Sequence, residues 1–142
     1  MLITRESDYA VRCVLYLAQK RLQRTIVDEI AQRMHIPKHY LAKILQRLVR
    51  EGIVESVRGI KGGYHLLRSP KEITLLDIIG TIQGSVPVNV CAIDKRRCQM
   101  SSACSVHPVW VDIRRNIEKR LESETIDKLL KRKCDPKPCS KP

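Results

Sequence analysis

Cys91, Cys98, Cys104 and His107 are separated by six, five and two intervening residues within residues 91–107. Thiolates and imidazoles at such spacing are ligands for a soft metal centre. The two cysteine spacings are wider than the paired C-x₂-C knuckles of zinc ribbons. A loop of this length can wrap a multi-iron cluster, whose irons and sulfides hold the ligand positions further apart than one metal ion does. His107 falls three residues after Cys104, close enough to join the same centre if that segment turns helically. A Cys₃His zinc site and a set of reduced thiols without metal are the competing readings. No Gly-rich phosphate cradle or acid/base pair accompanies Cys104 and His107, so an enzyme is not expected. Cys13 reads as a small buried hydrophobe within a helix. Cys134 and Cys139 fall in a Pro-rich tail and are given no role.

The elements that must position this loop follow from periodicity. Thr4 or Ser7 can cap a first helix carrying Val11, Val14, Leu15 and Ala18 at steps of three and four. Thr25 opens a short second helix through Ile26, Ile30 and Ala31, with Asp28 in a capping-box-like position. Pro37 suits the first turn of a third helix, whose apolar face is Leu41, Ile44, Leu45 and Leu48 and whose end is Gly52. Its outer face carries His39, Lys43, Gln46, Arg47 and Arg50. Residues 53–57 alternate like a strand, residues 58–63 are turn chemistry and residues 64–67 read as the return strand. A helix-turn-helix followed by such a hairpin is a winged helix. Thr74 caps another helix with Leu75, Ile78, Ile79 and Ile82 on one side. Periodicity then vanishes through the cysteines, where metal ligation would supply the missing order. A further helix from about residue 108 to 121 has Val109, Ile113, Ile117 and Leu121 at four-residue steps. That stripe suits a dimer contact at least as well as a core.

Charge points to the partner. The chain has 27 Lys and Arg against 15 Asp and Glu among 142 residues, a net charge of +12. Residues 1–71 hold 14 basic and 6 acidic residues. A basic globular half of this kind suits a polyanion, most often nucleic acid. The first turns of a recognition helix reach base edges and later basic residues meet phosphates. Lys38, His39, Tyr40, Ala42 and Lys43 are therefore candidates for the bases, and Arg47 and Arg50 for the backbone. In the wing, Lys61 adds charge and Arg58 could enter a narrow minor groove. No apolar h-region follows Met1 and no apolar run approaches the roughly 20 residues of a membrane span. A cytoplasmic chain with reduced thiols is expected.

The combination Thr4-Arg5-Glu6-Ser7-Asp8-Tyr9-Ala10-Val11-Arg12, Tyr40-Leu41, Val57-Arg58-Gly59-Ile60-Lys61-Gly62-Gly63-Tyr64, three cysteines and His107-Pro108-Val109-Trp110 resembles the IscR/NsrR-type iron–sulfur winged-helix regulators of the Rrf-two family. The resemblance covers about residues 1–130. It implies a mainly α fold with a small β-hairpin wing and a long dimerisation helix. The expected parts are a winged helix-turn-helix with its following helix (1–83), a cluster-binding loop (84–107), a dimerisation helix and short helix (108–130) and a flexible tail (131–142). It further implies a homodimer on double-stranded operator DNA, with Cys91, Cys98 and Cys104 holding a 2Fe–2S cluster, or else a 4Fe–4S one. Arg58 would match the minor-groove arginine of the wing. The fourth ligand is His107 or, as in the nitric-oxide-sensing branch, Asp8 from the first helix of the other subunit; the intact Cys-x₂-His-x₂-Trp context favours His107. Two departures stand out. The first cysteine spacing is one residue longer than in the cluster-biogenesis regulator, and Ala42 replaces a glutamate that the regulator uses to tell DNA sites apart. The function implied is a DNA-binding regulator controlled by its cluster, sensing iron or cluster status, nitric oxide or redox stress. A thiol-based or metabolite-responsive regulator of the same fold is the nearest alternative, and a zinc-binding interaction module a distant one.

Overall fold

Helix α1 (Arg5–Gln19) begins where Thr4 Oγ1 accepts a hydrogen bond from the Ser7 amide at 3.1 Å. This satisfies one of the amides that the first turn of any helix leaves free. Ala10, Cys13, Val14 and Leu17 lie fully inside, so this helix forms the central stripe of the core. The computed structural model describes residues 2–132. Helices α2 (Val27–Met34) and α3 (Lys38–Arg50) pack on α1, joined by a turn in which His35 adopts the left-handed conformation and Ile36 is buried. On α3 the inward residues are Leu41, Ile44, Leu45 and Leu48, the 3.6-residue pattern of one buried face. Gly52 at φ +69° turns the chain out of the helix, a conformation glycine adopts without steric cost.

Strands β1 (Val54–Val57) and β2 (Gly63–Leu66) form an antiparallel hairpin in the register Val54 to Leu66 and Val57 to Gly63. Thr25 widens it. Its amide donates to the Tyr64 carbonyl and its carbonyl accepts from the Tyr64 amide, both at 2.9 Å. Thr25 was expected to open α2, with Asp28 completing a capping box; instead Ile26 stands at that position without a side-chain cap and is exposed. The buried backbone of Thr25 is committed to the hairpin, an obligation that outranks a cap.

Helix α4 (Leu75–Gln83) has the expected capping box, with Thr74 and Asp77 bonding each other's amides. Residues 84–106 are not wholly aperiodic, for they contain the one-turn helix α5 (Val90–Ile93) and a 3-10 turn at Lys95–Arg97. Helix α6 (His107–Ser123) follows, then the short α7 (Ile126–Lys131). Backbone bonds from Ile126 to the Ile73 carbonyl and from Leu75 to the Glu124 carbonyl, both 2.9 Å, return the chain to the base of α4. Ile126 thereby enters the core beside α1. Glu124 itself is held by Arg132 and Arg120, and the Arg132 guanidinium keeps its carboxyl below the ordinary glutamate range. The tail expected over 131–142 falls almost wholly outside the described residues, as do Cys134 and Cys139.

The close approach at Thr25 generates a stability prediction. Gly63 sits at φ +145°, and a Cβ there would lie 2.9 Å from the Thr25 carbonyl oxygen. Gly63→Ala should therefore destabilise the domain by roughly 1–3 kcal/mol, as expected for a strained backbone position. Denaturant unfolding measures this, and an unchanged midpoint would show that the hairpin tolerates a side chain at this crossing.

Candidate functional site

The exposed face of α3 presents Lys38, His39, Lys43, Gln46 and Arg50. Because Leu41, Ile44, Leu45 and Leu48 occupy the inward face, helical geometry turns these residues outward together. The His39 ring lies 4.2 Å from that of Tyr40, which in turn approaches Tyr9 at 6.1 Å. Tyr40 is thus exposed yet braced by an aromatic contact to α1. Lys38 ion-pairs with Asp28, which ties the start of α3 to α2.

Beside α3 stands the hairpin, and between them opens a cleft of about 440 Å³ lined by Gln46, Val49, Arg50, Ser56, Arg58 and Tyr64. Arg58, Ile60 and Lys61 project from the hairpin tip, with Ile60 fully solvent-exposed. The tip is held from behind: Arg24 donates to the Lys61 carbonyl at 3.2 Å, and Gly62 passes so close to the Val57 carbonyl that no side chain fits there. Arg50 and Arg58 therefore flank one basic cleft, the arrangement needed to straddle a phosphodiester backbone.

Arg47 stands apart from this set. Its Nη1 donates to the Ile82 carbonyl at 2.7 Å and lies 3.8 Å from Glu6 Oε2. It is engaged with the end of α4 and the start of α1, whereas Lys43 and Arg50 have no ion-pair partner among the described residues.

The cysteine loop is built on α5 and α6. Cys91 is buried within α5, while Cys98 and Cys104 are half-buried; all three are free thiols. Arg114 on α6 donates to the Ala92 carbonyl at 2.7 Å and pairs with Glu118 at 2.8 Å, fixing the turn that carries Cys91. Ser101 donates to the Lys95 carbonyl at 2.7 Å and closes the turn that carries Cys98. Asp94 is held below the usual carboxylate range by hydrogen bonds from Arg96. His107 opens α6, and its Nδ1 is buried with no hydrogen-bond partner. A buried polar atom left unpaired costs stability unless something else engages it. Three free thiols and an orphaned imidazole nitrogen are the donor set of a soft metal centre, and in that chemical sense they fit one. Among the described residues, however, no three Cys, His, Asp or Glu side chains converge as a single-ion site. Asp8 is engaged elsewhere, 2.7 Å from Arg12 and 3.8 Å from Arg5, by charge rather than by a well-aligned hydrogen bond.

The polar residues that organise these sites escaped the reading of the sequence. Gln83 at the end of α4 accepts from the Thr4 amide (3.0 Å) and the Ser7 hydroxyl (2.7 Å) and donates to the Leu2 carbonyl (2.9 Å). Such contacts span about eighty residues of chain and leave no periodic signature.

Residues 3–132 match the Rrf2 family, described as iron-dependent transcriptional regulators. IscR of Pectobacterium carotovorum is 32% identical over 134 residues, covering 94% of this chain and 81% of that protein. The solved structure of T. potens IscR aligns with a TM-score of 0.74 at 29% identity, covering 92% of this chain and 87% of that one. CymR, titled the global cysteine regulator of B. subtilis, aligns at 0.75 and 30% identity, covering 92% and 96%.

Environment separates the thiols. Burial pushes the Cys13 thiol up to about 12, so at neutral pH it stays protonated and unreactive. In the metal-free native protein at pH 8, a thiol alkylating agent should label Cys98 and Cys104 and spare Cys13 until denaturant is added. Peptide mass mapping reads the pattern, and native labelling of Cys13 at a matching rate would contradict this burial.

Proposed function

The chain belongs to the Rrf2 family of transcriptional regulators, and on that premise we propose that it binds operator DNA as a cytoplasmic homodimer whose affinity is set by an iron–sulfur cluster on the cysteine loop. DNA-binding regulation belongs to the family, and enzymatic activity does not. The observation that carries the cluster reading is the loop itself, with three free thiols beside an orphaned His107 Nδ1. Cys91, Cys98, Cys104 and His107 would hold the cluster, with 2Fe–2S favoured over 4Fe–4S. When bound, it supplies a redox-sensitive group whose gain or loss changes the order of the loop.

The remaining chemistry falls to the chain's own side chains. Lys38, His39, Tyr40 and Lys43 on the first turns of α3 face base edges, Arg50 meets phosphates, and Arg58 and Lys61 bring the wing to the minor groove. Helix α6 buries none of its residues, and Val109 and Ile113 are exposed on it. A second α6 laid against this stripe would remove it from water and place two recognition helices on one duplex. Cluster and operator are then linked by a coupling free energy, each favouring one arrangement of loop and α3.

The half-buried thiols Cys98 and Cys104 favour one second reading, a thiol-based regulator without iron. The similarity to CymR, the global cysteine regulator of B. subtilis, is consistent with it.

Anaerobic purification with iron and sulfide analysis and an absorption spectrum separates the two. The cluster reading predicts stoichiometric iron and sulfide and a visible charge-transfer band, all lost in Cys98→Ala; a colourless, iron-free protein that still binds its operator would establish the thiol reading. Arg58→Ala should weaken operator binding by about 1–3 kcal/mol while leaving that absorbance unchanged. Normal binding in an electrophoretic or anisotropy titration would remove the wing from DNA recognition.

A further inference from the structure

The last two residues of α4, Ile82 and Gln83, touch both α3 and the start of α1. The Ile82 carbonyl accepts from Arg47 of α3, and the Gln83 side chain closes on Leu2, Thr4 and Ser7 at the start of α1. One residue further on, Gly84 at φ +77° turns the chain into the segment that leads to Cys91. Val86, fully buried, anchors the first part of that segment. The root of the cysteine loop and the flank of the recognition helix are therefore joined by one charge-assisted hydrogen bond.

Resting on the functional reading above, we infer that Arg47 is a positioning residue that sets the angle of α3 against α4 and carries the state of the loop to it, rather than a phosphate contact. A helix leaves its last carbonyls unsatisfied, and a guanidinium placed there meets both the orphan oxygen and the negative end of the helix dipole. Glu6, 3.8 Å from the same Nη1, adds a charge from α1. Arg47 thus links three helices, while Lys43 and Arg50, one turn either side of it, are exposed and free to face DNA. A change in the path of residues 84–90 that shifts the Ile82 carbonyl must either break this bond or move Arg47, and α3 moves with it.

Two roles for Arg47 predict different salt dependences. A side chain that neutralises a phosphate contributes about 0.9 to the slope of log affinity against log salt, so two per dimer contribute about 1.8. A positioning residue contributes none. This measurement uses the metal-free full-length protein on a duplex of any sequence, so it does not depend on whether a cluster is present. Arg47→Gln should bind roughly 3- to 30-fold more weakly with the slope unchanged. Arg47→Lys keeps the charge and loses the planar fork, and it should be weakened with the slope likewise unchanged. A slope reduced by about 1.8 in Arg47→Gln, with Arg47→Lys close to the parent, would overturn the inference and return Arg47 to the DNA backbone. Circular dichroism checks that each variant is folded; Arg47→Lys keeps the comparison decisive should Arg47→Gln unfold. In the holoprotein, the ratio of operator affinities with and without cluster should shrink towards one in both variants. An unchanged ratio would overturn the transmitting role, whereas a protein that binds no cluster at all would overturn only the functional reading on which that part rests.

Discussion

A helix that ends inside a folded domain leaves carbonyl groups that must find donors, and the end of α4 is where this chain resolves that constraint. Arg47 supplies a donor to Ile82, and Gln83 uses both ends of its amide to gather the first residues of the chain. Since α1 forms the centre of the core, fixing its start relative to α4 also fixes the surfaces on which α2 and α3 lie. The recognition surface and the cysteine loop grow from opposite sides of this one polar knot. A fully paired polar network, even a part-buried one such as this, holds its members in one arrangement, and a partly paired one loses that advantage. The position of α3 is therefore sensitive to a single contact in a way that a purely apolar seam would not be.

The hairpin follows a different logic. Its tip is short, charged and exposed, so it cannot stabilise itself, and an isolated two-stranded ribbon is marginal in water. Stability comes from behind: Thr25 adds a third backbone pairing, Arg24 holds the Lys61 carbonyl, and Gly62 and Gly63 allow the chains to approach closely enough for both. The result is a rigid arm that carries Arg58, Ile60 and Lys61 away from the core without any side chain of the tip being buried. Ordering these residues before a partner arrives lowers the entropy lost on binding.

How much was legible in the amino-acid sequence divides along a physical line. Leu41, Ile44, Leu45 and Leu48 announce α3 because burial of one helix face leaves a local period, and all four are buried as that period requires. Thr74 with Asp77 announces the start of α4 because a capping box is satisfied within four residues. Thr25 misled for the same reason. A threonine before an amphipathic run looks like a cap, yet its backbone answers to Tyr64, far along the chain. Arg47 reads as a phosphate ligand because basic residues on a helix such as α3 are read by face, and its bond to the Ile82 carbonyl of α4 leaves no local signature. Donor types in the cysteine loop were visible from spacing alone. Their supports, Arg114 on Ala92 and Ser101 on Lys95, were not, because side-chain to carbonyl bonds across a loop carry no periodicity.

Helix α6 shows where the chain's own contacts stop. It is the longest helix among the described residues and buries none of its side chains, while the much shorter α7 that follows delivers Ile126 to the core and ties the C-terminal end of α6 to the domain. A helix held so firmly at its base, yet exposing Val109 and Ile113, is ordered at a cost that its own burial does not offset. Its N-terminal residue is His107 and its Arg114 steadies Cys91, so the cysteine loop and the exposed stripe are parts of one rigid unit. Anything that reorganises the loop must act on this helix, and anything that covers the helix must act on the loop. Together with the polar knot at the end of α4, this joins the loop to the rest of the domain on two sides, at α3 through Arg47 and along α6 through Arg114.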